Sequence, residues 1–357
     1  MGFIEIKNVR VAGISAGVPK NIINNLEAQT IFSKDYNNQE FVETTGVKER
    51  RIDSTLTTSD LCYRAAEKLI EELHWEKKEI RALIFVSQTF DFLAPATACI
   101  LQDKLQLSKE IFAQDIELGC SGWVYGMMNL ASLMQTGYIQ KALLLCGDAR
   151  QQYVPENPEL TDPLFGYAGT ATALEYEEGN EGLKCHFGTD GSGYDAIIIP
   201  GGASRYPLST NSFIPELIDG KEILPVESRM KGMDVFSFGI STAPKSIKKL
   251  AEHFQYDYLK SDYFIFHQAN KKMNDLIIKK LKLPESKVPS SMEYFGNTSS
   301  ASIPLTIVTL RNILTNGEYN VTCCGFGIGL SWGTINLNMK NLIIPAIIEV
   351  NSNDNIL

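Results

Sequence analysis

The chain has 357 residues, a hydrophobic content of 44% and a formal net charge of −9. That length exceeds one ordinary hydrophobic core, so two domains or a duplicated fold are expected, with ample apolar material to fill them. The acidic balance excludes a general nucleic-acid binder, which needs a basic stripe, and no apolar run is long enough to span a bilayer.

Met1-Gly-Phe-Ile-Glu-Ile-Lys reads as the start of a strand and not as a signal peptide. A strand follows over residues 9–14. Thr58-Ser-Asp60 opens an amphipathic helix over 61–73. A buried strand over 80–86, a helix over 98–105 and a strand over 113–118 come next, then a helix that runs from Cys120 to about residue 137. Strands are predicted over 142–146 and 171–176. Residues 200–230 are rich in Gly, Pro and Ser without periodicity and predict a covering loop, a lid over the site. In the second half a long helix is predicted over 234–254, a strand over 263–266, helices over 273–281 and 303–314, and closing strands over 320–324 and 331–339. This alternation implies α/β layers. Residues 341–357 form a tail. Its aliphatic residues Leu342, Ile343, Ile344, Ile347, Ile348 and Val350 predict packing on the protein or on a partner.

The seven cysteines are an odd number without framework spacing, which fits reduced thiols in a cytoplasmic protein. No histidine has metal-ligand spacing with them. Cys185-His186 comes nearest and lacks neighbours, so no metal is expected.

Cys120 stands apart because of its position. The apolar run Phe112-Ala-Gln-Asp-Ile-Glu-Leu-Gly ends at it, and Ser121-Gly122 opens a helix. A cysteine at a strand-to-helix junction meets the positive end of the helix dipole, which favours the thiolate. A thiolate attacks thioesters well and leaves them well. On position alone, however, most such cysteines are small buried hydrophobes. Two further segments bear on the choice. Asp262-Tyr-Phe-Ile-Phe-His267-Gln-Ala-Asn270 is an aromatic strand that ends in a histidine. Tyr294-Phe-Gly-Asn297-Thr-Ser-Ser is a turn followed by capping residues. Singly, His267 reads as a satisfied core histidine and Asn297 as a turn former. Together the three polar groups stand at element ends, where side chains converge on a pocket.

The order Cys120, His267-Gln-Ala-Asn270, Gly296-Asn297-Thr-Ser resembles the 3-oxoacyl-ACP synthase III (beta-ketoacyl-ACP synthase III) family, the initiating condensing enzymes of the thiolase superfamily. Thr45-Gly-Val-Lys-Glu-Arg-Arg51, Thr58-Ser-Asp60, Pro95-Ala-Thr-Ala-Cys99 and Phe326-Gly-Ile-Gly-Leu-Ser-Trp-Gly333 extend the resemblance over nearly the whole chain. It implies an α/β, thiolase-like fold of five αβαβα layers: duplicated βαβ halves with mixed, mostly parallel sheets. Residues 1–177 would form the half with the nucleophile, 178–340 the half with His267 and Asn297, and 341–357 the tail. It further implies an acyl-Cys120 intermediate and decarboxylative Claisen condensation with malonyl-ACP. His267 and Asn297 would donate to the enolate, and the backbone N–H groups of Cys120 and Ile328 would form the oxyanion hole. No cofactor is implied, since CoA or ACP pantetheine thioesters are substrates. Acyl-CoA or acyl-ACP, malonyl-ACP and acyl carrier protein are the implied partners, with a homodimer as the assembly.

Several residues depart from the family pattern. Glu40 and Thr44 stand where a tryptophan and an arginine usually help hold the CoA nucleotide. Ala94 replaces an aromatic that limits acyl length, which makes Ala94, Leu93 and Phe92 acyl-pocket candidates. Tyr167 replaces an acidic residue, and Ile328 stands between two glycines. Carrier proteins are acidic, so Lys271 and Lys272 are docking candidates, with Lys48, Arg50, Arg51 and Lys104 as additions to the same patch. Two other functions share the fold: transfer of the acyl group to an alcohol or amine, and a non-catalytic scaffold. A complete Cys120, His267, Asn297 set speaks against the scaffold. A cysteine protease has still less support.

Overall fold

The structure is a computed structural model and describes residues 2–28, 37–149, 163–218 and 221–351. Alternation within the strands builds the core. In the Ile80–Ser87 strand, Leu83 and Phe85 face one side while Ile84 and Val86 face the other, as a pleated strand requires. The Lys141–Asp148 strand repeats this, with Leu143 and Leu145 on the first side and Leu144 and Cys146 on the second. Strands apolar on both faces belong in the middle of a layered molecule.

These two strands belong to a six-stranded sheet. Its order is Ile348–Val350, Val9–Pro19, Ala168–Tyr176, Lys141–Asp148, Ile80–Ser87 and Phe112–Glu117. The last three run parallel. A second sheet has the order Phe3–Ile6, Leu183–Thr189, Ser331–Lys340, Glu318–Gly327, Tyr263–Phe266. Only its last pair is parallel, and the short connection after Gly327 returns the chain as an antiparallel hairpin, so the sheets are mixed and not mostly parallel as expected.

Helices fill three layers. The Thr58–Glu72 and Thr97–Lys104 helices cover the outside of the first sheet through Ala65, Leu69, Ala98 and Leu101. The Gly122–Met134 and Ser302–Thr309 helices lie between the sheets, where Met127, Leu130, Leu305 and Ile307 join side chains from both. The Gly232–His253 and Lys271–Leu281 helices cover the outside of the second sheet through Ile247 and Ile277. The layering is therefore αβαβα, the thiolase-like arrangement. Among the described residues no helix is long and apolar enough to cross a membrane.

Four features differ from the sequence expectation or refine it. The helix over 303–314 divides at Leu310 into Ser302–Thr309 and Arg311–Leu314. There the Leu310 N–H bonds back to Ile307 O in a tighter turn. Residues 200–230, expected without regular structure, contain the antiparallel pair Glu216–Ile218 with Lys221–Ile223, and end in Arg229–Met230, which pairs with Ile197–Ile198 just before them. The tail packs on its own chain: Leu342 and Ile344 enter the central core, and Ile348–Val350 pairs parallel with Val9–Pro19. Residues 352–357 of the tail lie outside the described residues. Finally, the Leu183–Thr189 strand, absent from the sequence expectation, lies inside the second sheet between Phe3–Ile6 and Ser331–Lys340.

Candidate active site

The candidate residues follow the carboxyl ends of particular strands, Phe112–Glu117, Tyr263–Phe266 and Glu318–Gly327, a usual place for a site in layered α/β folds. Cys120 occupies the turn between the Phe112–Glu117 strand and the Gly122–Met134 helix. The turn is closed by the Gly122 N–H donating to Gly119 O at 2.7 Å. Cys120 is half-buried, whereas Cys62, Cys146, Cys185, Cys323 and Cys324 are fully buried. Burial pushes those five thiols up, Cys185 and Cys324 to about 12, so they are inert hydrophobes. Cys323 and Cys324, adjacent in sequence, face opposite layers.

Gly327, at the end of the Glu318–Gly327 strand, lies against the nucleophile candidate. A Cβ there would fall 2.8 Å from Cys120 Sγ, so only glycine permits this approach. Ile328 follows. Its Cγ2 and the Gln88 side chain both crowd Gly119, beside Cys120. The Ile328 backbone is thus next to the cysteine, while its branched side chain closes one wall.

His267 ends the Tyr263–Phe266 strand, and its N–H donates to Cys324 O at 2.9 Å. Its ring meets Phe326 edge-on with centroids 5.8 Å apart, and Nδ1 lies 2.8 Å from Ser302 Oγ. Burial holds the imidazole at about 3, with a backbone hydrogen bond at Ser299 as a smaller opposing influence. It is therefore neutral at physiological pH. Asn297 is buried in the turn before the Ser302–Thr309 helix. Its Nδ2 donates to Ala269 O at 3.4 Å, and its Oδ1 accepts from Ser299 N at 2.9 Å. A continuous run of contacts therefore joins Cys120, Gly327, Phe326, His267, Ala269 and Asn297.

The other candidates are placed differently. Phe92, Leu93 and Ala94 are exposed on the single chain, Leu93 completely and Phe92 at 61%. Lys271 and Lys272 open the Lys271–Leu281 helix on the surface, and Lys271 pairs with Asp275 one turn on. Lys271 also packs at Gly46, whose left-handed conformation (φ 78°) ends the Asn38–Thr45 helix. The proposed additions to this patch fail in part. Arg50 is completely buried with Nε on Asn25 Oδ1, Arg51 pairs with Glu349 of the tail, and Lys104 faces Asp60 at 3.6 Å. Arg51 and Lys104 thus pair with acidic groups of the chain itself, and burial withdraws Arg50 from the surface. Tyr167 is buried among Ile52, Leu56, Leu61, Ala149 and Val350, so the ring that replaces an acidic residue packs against the tail strand.

Three polar residues escaped the sequence reading. Ser302 faces His267 Nδ1; Ser300 and Asp148 form a buried pair considered below. A carboxylate one residue past a glycine at a predicted strand end was a usable signal for Asp148. The two serines carried none. Among the described residues no cluster of His, Cys, Asp and Glu could hold a metal ion.

Comparison with known proteins follows the same layout. Residues 114–191 match the family described as 3-oxoacyl-[acyl-carrier-protein (ACP)] synthase III, and residues 255–339 match 3-oxoacyl-[acyl-carrier-protein (ACP)] synthase III C terminal. A Campylobacter jejuni protein provisionally named 3-oxoacyl-[acyl-carrier-protein] synthase 3 is 34% identical over 95% of this chain and 96% of its own. A Clostridium perfringens beta-ketoacyl-[acyl-carrier-protein] synthase III is 31% identical over 92% of this chain and 98% of its own. The crystal structure of a 3-oxoacyl-(acyl-carrier protein) synthase from Burkholderia xenovorans superposes with a TM-score of 0.88. It is 35% identical and covers 98% of this chain and 99% of its own.

Proposed function

The chain belongs to the 3-oxoacyl-[acyl-carrier-protein] synthase III family, and from that premise we propose that it is a condensing acyltransferase of fatty-acid or specialised acyl biosynthesis. Cys120 Sγ attacks the carbonyl of an acyl thioester, the C–S bond to CoA or carrier pantetheine breaks, and acyl-Cys120 remains. Malonyl-ACP then enters. Its C–CO2 bond breaks, CO2 leaves, and the electron pair becomes an enolate. The enolate carbon attacks the acyl-Cys120 carbonyl, the new C–C bond forms, and Cys120 departs as thiolate from a 3-oxoacyl thioester.

The observation that carries this reading is the run of contacts linking Cys120 to two neutral donors, His267 and Asn297. The enolate oxygen requires the Nε2–H tautomer, in which Nδ1 accepts from the Ser302 hydroxyl 2.8 Å away. A neutral imidazole and an amide stabilise that oxygen without charge reorganisation. The backbone N–H groups of Cys120 and Ile328 serve the tetrahedral oxyanion. No bound cofactor enters any step. Residues 1–177 form the half that supplies the nucleophile, and 178–340 the half that supplies the donors.

The acidic carrier protein docks at Lys272, whose side chain is exposed at the start of its helix. Phe92, Leu93 and Ala94, exposed on one chain, are covered in a homodimer and face the partner's acyl pocket. A monomer by light scattering at micromolar concentration would sink that assembly. The functional test is intact-protein mass after mixing with a panel of acyl-CoA and acyl-ACP thioesters, followed by malonyl-ACP and measurement of CO2. An acyl adduct absent from Cys120→Ala, then CO2 release, is expected. An adduct passed to an alcohol or amine without CO2 would replace condensation by simple transfer.

A further inference from the structure

Asp148 ends the Lys141–Asp148 strand and is 4% exposed. Its Oδ1 accepts from Gln88 N at 2.7 Å and Ser87 Oγ at 3.2 Å. Its Oδ2 accepts from Ser300 Oγ at 3.0 Å and Ser300 N at 3.3 Å. Among the described residues no cationic side chain forms an ion pair with it. Burial pushes its carboxyl up, and hydrogen bonds from Gln88, the Ser299 side chain and Ser300 hold it down. A buried carboxylate without a counter-charge is costly unless donors fill its lone pairs, as these do.

We propose that Asp148 is a positioning residue for the decarboxylation half-reaction, acting through Ser300 on the segment that carries Asn297. This rests on the condensing reading above. The route is short. Asp148 fixes Ser300 by its N–H and its hydroxyl. The preceding Ser299 N–H fixes Asn297 Oδ1, which leaves Nδ2 on Ala269 O, two residues past His267. Two residues beyond Ser300, Ser302 faces His267 Nδ1. One carboxylate of the first sheet thereby orients both enolate donors of the second half. The carboxylate is required and not merely a polar group of its size. Gln88 N–H and Ser300 N–H approach its two oxygens, and neither backbone donor can reverse. In Asp148→Asn one of them would face an NH2 group, whichever way the amide is turned. Cys120, by contrast, is held by its own strand, helix and turn. The contact between Ser300 and that helix is apolar: a Cβ on Gly122 would lie 3.2 Å from Ser300 Cβ.

The experiment compares wild type, Asp148→Asn and Ser300→Ala in the two half-reactions separately: Cys120 acylation by intact mass, and CO2 release from malonyl-ACP. Loss of one aligned donor in such sites costs roughly 100-fold or more. CO2 release should fall about 100-fold in Asp148→Asn and about 10-fold in Ser300→Ala. Acylation should stay within about threefold of wild type in both, since Asp148 reaches the Cys120 turn only through packing of the Gln88 and Ser300 side chains on Gly119 and Gly122. Equal loss in both half-reactions, or unaltered CO2 release in folded Asp148→Asn, overturns the proposal. If Asp148→Asn does not fold, Ser300→Ala decides alone, and absence of the split overturns it. A wild-type protein that is acylated but releases no CO2 overturns the condensing reading itself, a different failure from an unsplit variant.

Discussion

The turn that carries Cys120 and the turn that carries Asn297 are built by opposite means. Cys120 sits between a six-residue strand and a 13-residue helix, both regular, and its turn is closed by a backbone hydrogen bond. Asn297 sits between the one-turn Met292–Phe295 helix and the short 3-10 segment Ser299–Ala301. Its position depends on bonds reaching across the molecule. Its N–H donates to Leu164 O, its O accepts from Gly166 N–H, and Ser300 is held by Asp148. The nucleophile is thus placed by secondary structure and the donor by long-range polar contacts. Regular elements tolerate substitutions outside the turn, whereas a segment held by a few long-range hydrogen bonds is more easily displaced.

The largest expected effect sharpens this contrast. Asn297→Ala should lower CO2 release from malonyl-ACP about 100- to 1,000-fold while Cys120 acylation survives, measured in the same two assays. If acylation falls in step with CO2 release, the two turns are not independent and the comparison breaks.

The next effect concerns pH. His267 has a folded value of about 3 against an ordinary 6.5, because burial disfavours the cation. Between those values the unfolded chain binds a proton that the folded chain refuses. The contribution is therefore complete above pH 6.5, shrinks as pH falls, and is gone below about 3. His186, held at about 4 by burial, acts in the same direction. Thermal melts from pH 7 to pH 4 should show wild type losing a few kcal/mol more stability than His267→Gln over that range. CO2 release should show no pH limb from His267 between pH 5 and 8. A limb near pH 6.5 that vanishes in His267→Gln would contradict the neutral donor.

The smallest effect is at the surface. Lys272→Glu should slow reaction with malonyl-ACP several-fold at low salt and less at high salt, since an exposed charge acts mainly on encounter. Reaction with a carrier-free malonyl thioester should be unchanged. Equal slowing of both substrates would mean that Lys272 affects the Asn270–Met273 helix start, where Asn270 caps Met273 N–H, and not docking.

Much of the layout was legible in one dimension. Strand and helix periods are local, so the elements around Cys120, His267 and the Glu318–Gly327 hairpin emerged within a few residues of their bounds. The glycine at 327 beside the nucleophile was likewise readable as part of a Gly-Ile-Gly loop. Other elements depended on partners distant in sequence. The Leu183–Thr189 strand has weak alternation and owes its place to neighbours on both sides. The tail strand finds Val9–Pro19, more than 300 residues earlier, and the Phe3–Ile6 strand joins the sheet of the other half. Arg50 read as a surface charge and is buried, because Asn25 supplies an acceptor that no local pattern reveals.

The sequence by itself therefore determined the α/β class, the order of the elements and the three polar groups at their ends. Each of these follows from residue type and short-range period. Only the tertiary structure decided which charges are free for a partner, which hydroxyl faces His267, and that Asp148 meets Ser300 across 152 residues. A hydrogen bond requires two groups at about 3 Å, and for groups so far apart in the chain only the packing of the two sheets brings them to that distance.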